Sequence, residues 1–206
     1  LGSAVDKDNL NYNLKEYGKA GLGSLEVTPI YGVKGNESHN LCFLSPEWME
    51  MFRYTQEVGK TNGIDIDMNT GTGWPFGGPE VSLSQAAAKA IFECYEVKGG
   101  EPIKLEINIR DPKEQKQRDV AYLDCLMAYG TDGKVVNLTK KVKDGYLQWD
   151  APAGDWQLVA LFVGRTFQKV KRAAPGGEGY VMDHFSPVSV KSYFEKFDKA
   201  FKTNKV

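Results

Sequence analysis

The chain has 206 residues, of which 41% are hydrophobic and 26% are charged, and its formal net charge is −1. This composition is typical of a globular protein, and the charge gives no electrostatic case for a nucleic acid or an anionic membrane as partner. No apolar run is long enough to span a bilayer, and the length allows one large domain or two small ones.

The first part of the chain predicts helices and strands in alternation. Helix, strand, helix and strand are predicted over 7–21, 22–32, 43–63 and 64–69. The second helix has the clearest start, because Ser45 can cap it and Pro46 stands at its first position. Residues 79–97 are predicted to be partly helical around a run of alanines. Short connections between alternating helices and strands favour parallel pairing and an α/β architecture.

Between residues 99 and 172 the pattern changes to short β segments. Asp-Gly pairs at 132–133 and 144–145 stand between apolar runs and predict hairpins. We expect about six strands in a small antiparallel domain of sandwich type. After this region, a strand over 180–183 and a helix that begins at Ser186-Pro187 resume the earlier pattern.

An α/β chain that is interrupted by a β domain and then resumes is the pattern of an insertion. We expect the first part of a (β/α) barrel over 1–98, an inserted antiparallel β domain over 99–172, and a continuation of the barrel over 173–206. About three strand–helix units are visible, whereas a closed parallel barrel requires eight. We therefore interpret the chain as the front part of a larger barrel enzyme, with a small complete α/β domain as the alternative.

Polar side chains follow the predicted parallel strands, where functional residues of α/β folds gather. Asn69 and Thr70 follow one strand, and Asp183 and His184 follow another, with Glu178 just before it. A histidine at this place can hydrogen-bond a substrate hydroxyl, bind a metal or relay a proton, and a structural role is the alternative. Other carboxylates near predicted strand ends are Glu26, Asp67 and Glu80.

The stretch MNTGTGWPFGGP, residues 68–79, combines four glycines with two aromatic residues. It is neither a P-loop nor a dinucleotide fingerprint, because no GxxxxGK[ST] is present and Phe76 occupies the position of the last glycine. Trp74 and Phe76 suit a sugar, whose C–H face stacks on aromatic rings. The glycines predict a close approach of the backbone and room for a ligand. The alternative is a structural turn in which Trp74 plugs the end of the barrel.

The three cysteines, Cys42, Cys94 and Cys125, stand far apart and have no CxxC spacing. This set is typical neither of a disulfide framework nor of a zinc site. Buried thiols that act as small apolar side chains are the simplest interpretation, and a disulfide between Cys94 and Cys125 is left open.

Four segments together resemble glycoside hydrolase family 106, the α-L-rhamnosidases. They are LEVTPIYGVKG (25–35), FLSPEWMEMFRYT (43–55), DMNTGTGWPFGGP (67–79) and KVKRAAPGGEGYVMDHFS (169–186). The resemblance covers most of residues 7–201 in the same order. It implies a (β/α)8 barrel interrupted by β segments, in proteins much longer than this chain.

The same resemblance implies an inverting, two-carboxylate cleavage of terminal α-L-rhamnose from plant polysaccharides such as pectin. It also implies a calcium ion in the active site and export by bacteria to the periplasm or the medium. We expect the catalytic glutamates on strands beyond Val206, and in this chain only a pocket wall that includes Asn69, Thr70, Trp74 and the pair Asp183-His184. The expected partners are a rhamnose-containing glycan and the remainder of the barrel, and the isolated 206 residues are expected to be inactive.

A different class of function is also compatible with the sequence. Residues 99–172 resemble a binding module in composition, because five aromatic side chains can supply a stacking platform for carbohydrate. These are Tyr122, Tyr129, Tyr146, Trp149 and Trp156. Such residues more often form the core of a sandwich, so we rank a non-catalytic carbohydrate-binding module below the enzyme.

Overall fold

A computed structural model describes residues 3–204 of the chain. The chain divides into two compact units: unit 2 is Ala88–Thr166, and unit 1 consists of the residues up to Ala87 together with those from Phe167 onward. The sequence pattern placed the boundaries of the inserted domain at residues 99 and 172 instead. Across residues 3–204, no helix has the length and apolar character needed to cross a membrane.

The three helices described in unit 1 begin at residues that suit a helix start. They are α1 (Lys7–Lys19), α2 (Pro46–Thr61) and α3 (Pro187–Asn204). Asp6 caps α1 by accepting from the Asn9 N–H at 2.8 Å. Ser45 caps α2 by accepting from the Trp48 N–H at 3.2 Å, which confirms the predicted start of this helix.

Unit 1 contains two parallel strands that pack against its helices. Strands β1 (Ser24–Val27) and β2 (Asp65–Met68) pair along their whole length, and α2 connects them. Val27, Ile66 and Met68 pack against the core formed by α2 and α3. The opposite face carries Glu26 and Asp67, which are exposed. The described part of the chain contains this one parallel βαβ unit and no closed barrel.

The strand expected near 180–183 does not continue the parallel sheet. Strand β11 (Tyr180–Val181) pairs antiparallel with β3 (Gly77–Gly78), inside the glycine-rich stretch. The prediction of about three parallel strand–helix units is therefore wrong for the third unit. The physical reason is the missing side chain at Gly77, where a Cβ would lie 2.1 Å from the Tyr180 carbonyl oxygen, so only glycine permits this pairing.

Unit 2 is an antiparallel sandwich of two sheets. Its strands are β4 (Ala88–Gly99), β5 (Pro102–Glu106), β6 (Tyr122–Gly130), β7 (Val135–Asn137), β8 (Val142–Lys143), β9 (Tyr146–Asp150) and β10 (Gly154–Arg165). One sheet has the order β4-β10-β6-β7 and the other β5-β9-β8. The Asp-Gly turns join β6 to β7 and β8 to β9, which confirms both predicted hairpins.

Strand β4 corrects the expectation of helix within 79–97. Ile91, Glu93 and Tyr95 alternate with exposed residues along twelve residues of strand. This alternation, with pairing to β10 along its entire length, outweighs the helix propensity of the alanines.

The core of the sandwich contains both of its tryptophans. Trp149 and Trp156 meet edge to face with ring centroids 5.0 Å apart, and each is at most 5% exposed. The Trp156 indole N–H donates to the Pro152 carbonyl at 2.9 Å, as a buried indole requires. Neither residue can serve in the stacking platform of the binding-module hypothesis.

The structure excludes a disulfide between Cys94 and Cys125. Cys94 lies on β4 and Cys125 on β6, and β10 runs between these strands. Neighbouring strands are about 4.8 Å apart, so the two Cα atoms are separated by about 10 Å, beyond the reach of a disulfide. All three cysteines are free thiols, and the interpretation as buried side chains is wrong, because Cys42 and Cys94 are exposed and Cys125 is only half-buried.

Candidate functional site

The glycine-rich stretch begins directly at the carboxyl end of β2. The Asn69 N–H donates to the Val27 carbonyl at 2.9 Å and so extends the parallel pairing by one residue. The Asn69 side-chain oxygen then accepts from the Gly71 N–H at 2.9 Å. Such an Asx turn bends the chain back on itself, so Asn69 fixes the start of the loop.

The space left by three glycines is filled by the protein itself. A Cβ on Gly71 would lie 2.2 Å from the ring of Phe76, and one on Gly73 would lie 2.2 Å from the Lys171 carbonyl oxygen. The space beside Gly77 is filled in the same way, by the Tyr180 carbonyl. The expectation that these glycines leave room for a ligand is therefore wrong, because each admits a neighbouring part of unit 1.

Trp74 combines a fixed backbone with an exposed ring. Its N–H donates to the Lys171 carbonyl, and its carbonyl accepts from the Lys171 N–H, both at 2.9 Å. The peptide bond to Pro75 is cis. The side chain is nevertheless 71% exposed in the described part of the chain. An exposed indole held by a rigid backbone is a surface suited to stacking, since little conformational freedom is lost on contact.

Trp74 is the first of three rings in a row of contacts. Phe76 meets Trp74 edge to face, with centroids 6.4 Å apart, and the centroid of the His184 imidazole lies 6.4 Å from that of Phe76. We refer to Trp74, Phe76 and His184 as the aromatic patch. The structure thus brings together three of the residues predicted for the site, although Trp74 and His184 are 110 positions apart in the sequence.

The carboxylates predicted for the site take part in local backbone contacts. Asp183 accepts from the Phe185 N–H at 3.0 Å, next to the start of α3. Glu178 accepts from the Gly176 N–H at 2.9 Å and closes a tight turn. Asp183 adjoins the aromatic patch through His184, whereas Glu178 and Thr70 make no described ring contact with it.

Helix α3 supports the loop from below, which the sequence did not predict. The Tyr193 hydroxyl donates to the Thr70 carbonyl at 2.7 Å, and the residue is 1% exposed. Burial raises the pKa of Tyr193, and the nearby Glu80 charge raises it further, so Tyr193 is a neutral donor. Tyr193 belongs to the hydrophobic stripe of α3 that the sequence shows. Such a pattern does not indicate which carbonyl the Tyr193 hydroxyl reaches.

Lys196 makes a second connection between α3 and the loop. Its ammonium pairs with Glu80 and lies 4.2 Å from the centre of the Tyr193 ring. Burial lowers the pKa of Lys196, and the hydrogen bond and charge of Glu80 oppose this effect. Glu80 is therefore engaged in a partly buried ion pair, and we assign it to the support of the loop.

The open face of β1 and β2 presents two more carboxylates. Glu26 and Asp67 are register partners on neighbouring strands, and the Thr28 hydroxyl donates to Glu26 at 3.0 Å. Within residues 3–204, no three His, Cys, Asp or Glu side chains are grouped so that they could hold a metal ion.

A family model and a curated protein both match most of the chain. The profile of a family described as α-L-rhamnosidase matches residues 2–134 and 126–205. A curated protein of Formosa agariphila, named "Putative beta-glucuronidase", is 26% identical over 188 residues, which cover 74% of this chain and 16% of that protein.

A solved structure shares the fold. The rhamnosidase from Novosphingobium sp. PP1Y superposes with a TM-score of 0.66 at 14% identity, over 98% of this chain and 36% of that one. The 206 residues therefore correspond to about a third of the solved rhamnosidase and to a smaller part of the curated relative.

Proposed function

This chain belongs to the α-L-rhamnosidase family, glycoside hydrolase family 106, and we propose that it is part of an enzyme that removes α-L-rhamnosyl residues from plant-type polysaccharide. In this proposal the aromatic patch is one wall of the sugar pocket. The observation that carries it is the 71% exposure of Trp74 on a backbone held by two hydrogen bonds. An export to the periplasm or the medium, where such polysaccharides occur, belongs to the same proposal.

Each residue of the wall has a chemical role in this proposal. The Trp74 ring stacks on the C–H face of the sugar, and Phe76 holds that ring from the side. His184 exchanges a hydrogen bond with a sugar hydroxyl. The amide nitrogen of Asn69, which has no partner among residues 3–204, donates to a second hydroxyl. Thr70, Asp183 and Glu178 hold the loops on which these groups stand.

We further propose that β1 and β2 are two strands of a (β/α)8 barrel in a longer protein. Parallel sheets are normally covered on both faces, yet this pair is open on the face of Glu26 and Asp67 and unpaired at both outer edges among the described strands. Additional strands would pair with these edges, and the acidic face would then line the interior of the barrel.

The proposed chemistry is an inverting hydrolysis by two carboxylates, a general acid and a general base that activates water. We propose that both lie outside these 206 residues. Support comes from three carboxylates of unit 1 near the predicted strand ends, since Asp183 and Glu178 bind backbone N–H groups and Glu80 pairs with Lys196. Calcium in the longer protein stays a prediction, and no step proposed for this chain uses it.

The test compares two substrates and two forms of the protein. The longer protein should release p-nitrophenol from the α-L-rhamnoside, and NMR of the first product should show the inverted anomer. The 206-residue chain should release none. The name of the Formosa relative makes β-D-glucuronide the second substrate. Hydrolysis of the glucuronide but not the rhamnoside by the longer protein would refute the assigned sugar, and rhamnose release by the short chain would refute the division of roles.

A further inference from the structure

The outer face of the larger sheet in unit 2 carries an open groove of about 640 Å³. Its floor consists of Val97, Trp156 and Gly130 on the adjacent strands β4, β10 and β6. Six exposed side chains surround this floor: Glu96, Lys98, Tyr129, Thr131, Asp155 and Gln157. The volume is within the range of sites that bind small ligands.

Strand register places these side chains in two adjacent rows. Gln157 pairs with both Glu96 and Tyr129, so a carboxylate, an amide and an aromatic ring stand side by side across the sheet. Asp155 pairs with Lys98 in the next row, and the Thr131 N–H donates to the Asp155 carbonyl at 3.2 Å. Cross-strand neighbours lie about 5 Å apart, so one sugar ring can reach several of them at once.

The polar groups of the groove are not used to hold the fold. None of the six side chains has a hydrogen bond or ion pair to another residue of 3–204. Elsewhere in the sandwich, by contrast, polar side chains stabilise loops: Glu93 accepts from the Arg110 N–H at 2.7 Å, and Gln117 accepts from the Arg165 N–H at 2.9 Å. The groove is therefore a group of free donors and acceptors around one ring.

We propose that this groove binds a neutral oligosaccharide, independently of the aromatic patch in unit 1. Tyr129 is 43% exposed and offers a ring for stacking, while the amide, the hydroxyl and the charged groups match sugar hydroxyls as donors and acceptors. Two carboxylates and one ammonium leave the groove with a net negative charge, which disfavours an anionic sugar. Of the five aromatic residues of the binding-module hypothesis, Tyr129 and Trp156 line this groove, and Trp156 is buried.

The experiment uses the 206-residue chain and a matched pair of tyrosines. An array of neutral plant-cell-wall oligosaccharides, with trigalacturonate as the anionic comparator, identifies a ligand whose affinity is then measured by calorimetry. Tyr129→Ala and Gln157→Ala should each weaken binding at least about fivefold, the order expected from losing one stacking or hydrogen-bonding contact. The control Tyr122→Ala removes a ring that is 57% exposed on the same strand but outside the groove, and it should leave the affinity unchanged.

A further variant separates this site from the aromatic patch. Binding in the groove should persist in Trp74→Ala, whereas binding that Trp74→Ala abolishes and Tyr129→Ala spares would overturn the proposal. It would also be overturned if no neutral oligosaccharide bound, if trigalacturonate bound more tightly, or if Tyr122→Ala had the same effect as Tyr129→Ala. Circular dichroism confirms that each variant is folded, and Gln157→Ala supplies the test should Tyr129→Ala fail to fold.

Discussion

Removing a single hydroxyl group tests whether α3 supports the loop below the aromatic patch. Tyr193→Phe keeps the buried ring but deletes the donor to the Thr70 carbonyl at 2.7 Å. A typical hydrogen bond contributes about 1 kcal/mol net, and a buried carbonyl left without a donor costs up to about 3 kcal/mol. We therefore expect the variant to lower the free energy of unfolding of unit 1 by about 1–3 kcal/mol.

The assay is urea unfolding, monitored by hydrogen–deuterium exchange mass spectrometry. Peptide-level exchange reports on unit 1 separately from unit 2. Peptides that cover residues 69–78 should exchange faster in Tyr193→Phe. Because the raised pKa keeps Tyr193 protonated, the effect should be the same at about pH 6 and pH 9.

Tyr12→Phe is the matched control, since Tyr12 is 65% exposed and its hydroxyl has no partner among residues 3–204. A loss of less than about 0.3 kcal/mol in Tyr193→Phe, or an equal loss in Tyr12→Phe, would refute the reasoning, because measured hydrogen-bond contributions are larger than this.

Two further predictions concern stability. Burial by itself raises the pKa of Glu93, but N–H donors and the Arg110 guanidinium lower it below its ordinary value of 4.5 overall. Its contribution is therefore present above that value and lost as the pH falls through the lowered pKa, so urea melts should show Glu93→Gln destabilising unit 2 at about pH 7 and the difference shrinking as the pH falls below 4.5. Gly77→Ala should destabilise unit 1 by about 1–3 kcal/mol, because its Cβ meets the Tyr180 carbonyl, whereas Gly23→Ala, with open space around it, should be near neutral in the same melts.

Local signals in the sequence predicted the elements whose causes are local. The start of α2 depends on Ser45 and Pro46, and the hairpins depend on Asp-Gly pairs, so a few neighbouring residues decide each structure. The strand β4 depends instead on β10, about sixty residues away. Its alanines favoured a helix locally, and only the partner strand explains why the alternating pattern prevailed.

The candidate site was predictable in its parts but not in its connections. The glycine-rich stretch drew attention to Trp74 and Phe76 as stacking rings, and a strand end drew attention to His184. The structure brings the Phe76 ring close to both of the others. The glycines were misinterpreted because the space at Gly73 and Gly77 is filled by Lys171 and Tyr180, about a hundred residues further along the chain. Only the space at Gly71 is filled by a near neighbour, Phe76. The support by Tyr193 was missed for the same reason, since its partner Thr70 is 123 positions away.

The most direct test of the account is the kinetics of Trp74→Ala in the longer enzyme. Loss of one stacked aromatic contact should weaken binding of an α-L-rhamnoside by about 1–3 kcal/mol, which corresponds to a decrease of about 5-fold to 160-fold in kcat/KM. Phe185→Ala is the matched control, because Phe185 is 99% exposed and lies outside the aromatic patch, and its kinetics should match those of the wild type. Unchanged kcat/KM in Trp74→Ala, with the protein folded, would contradict the claim that the aromatic patch is a wall of the sugar pocket.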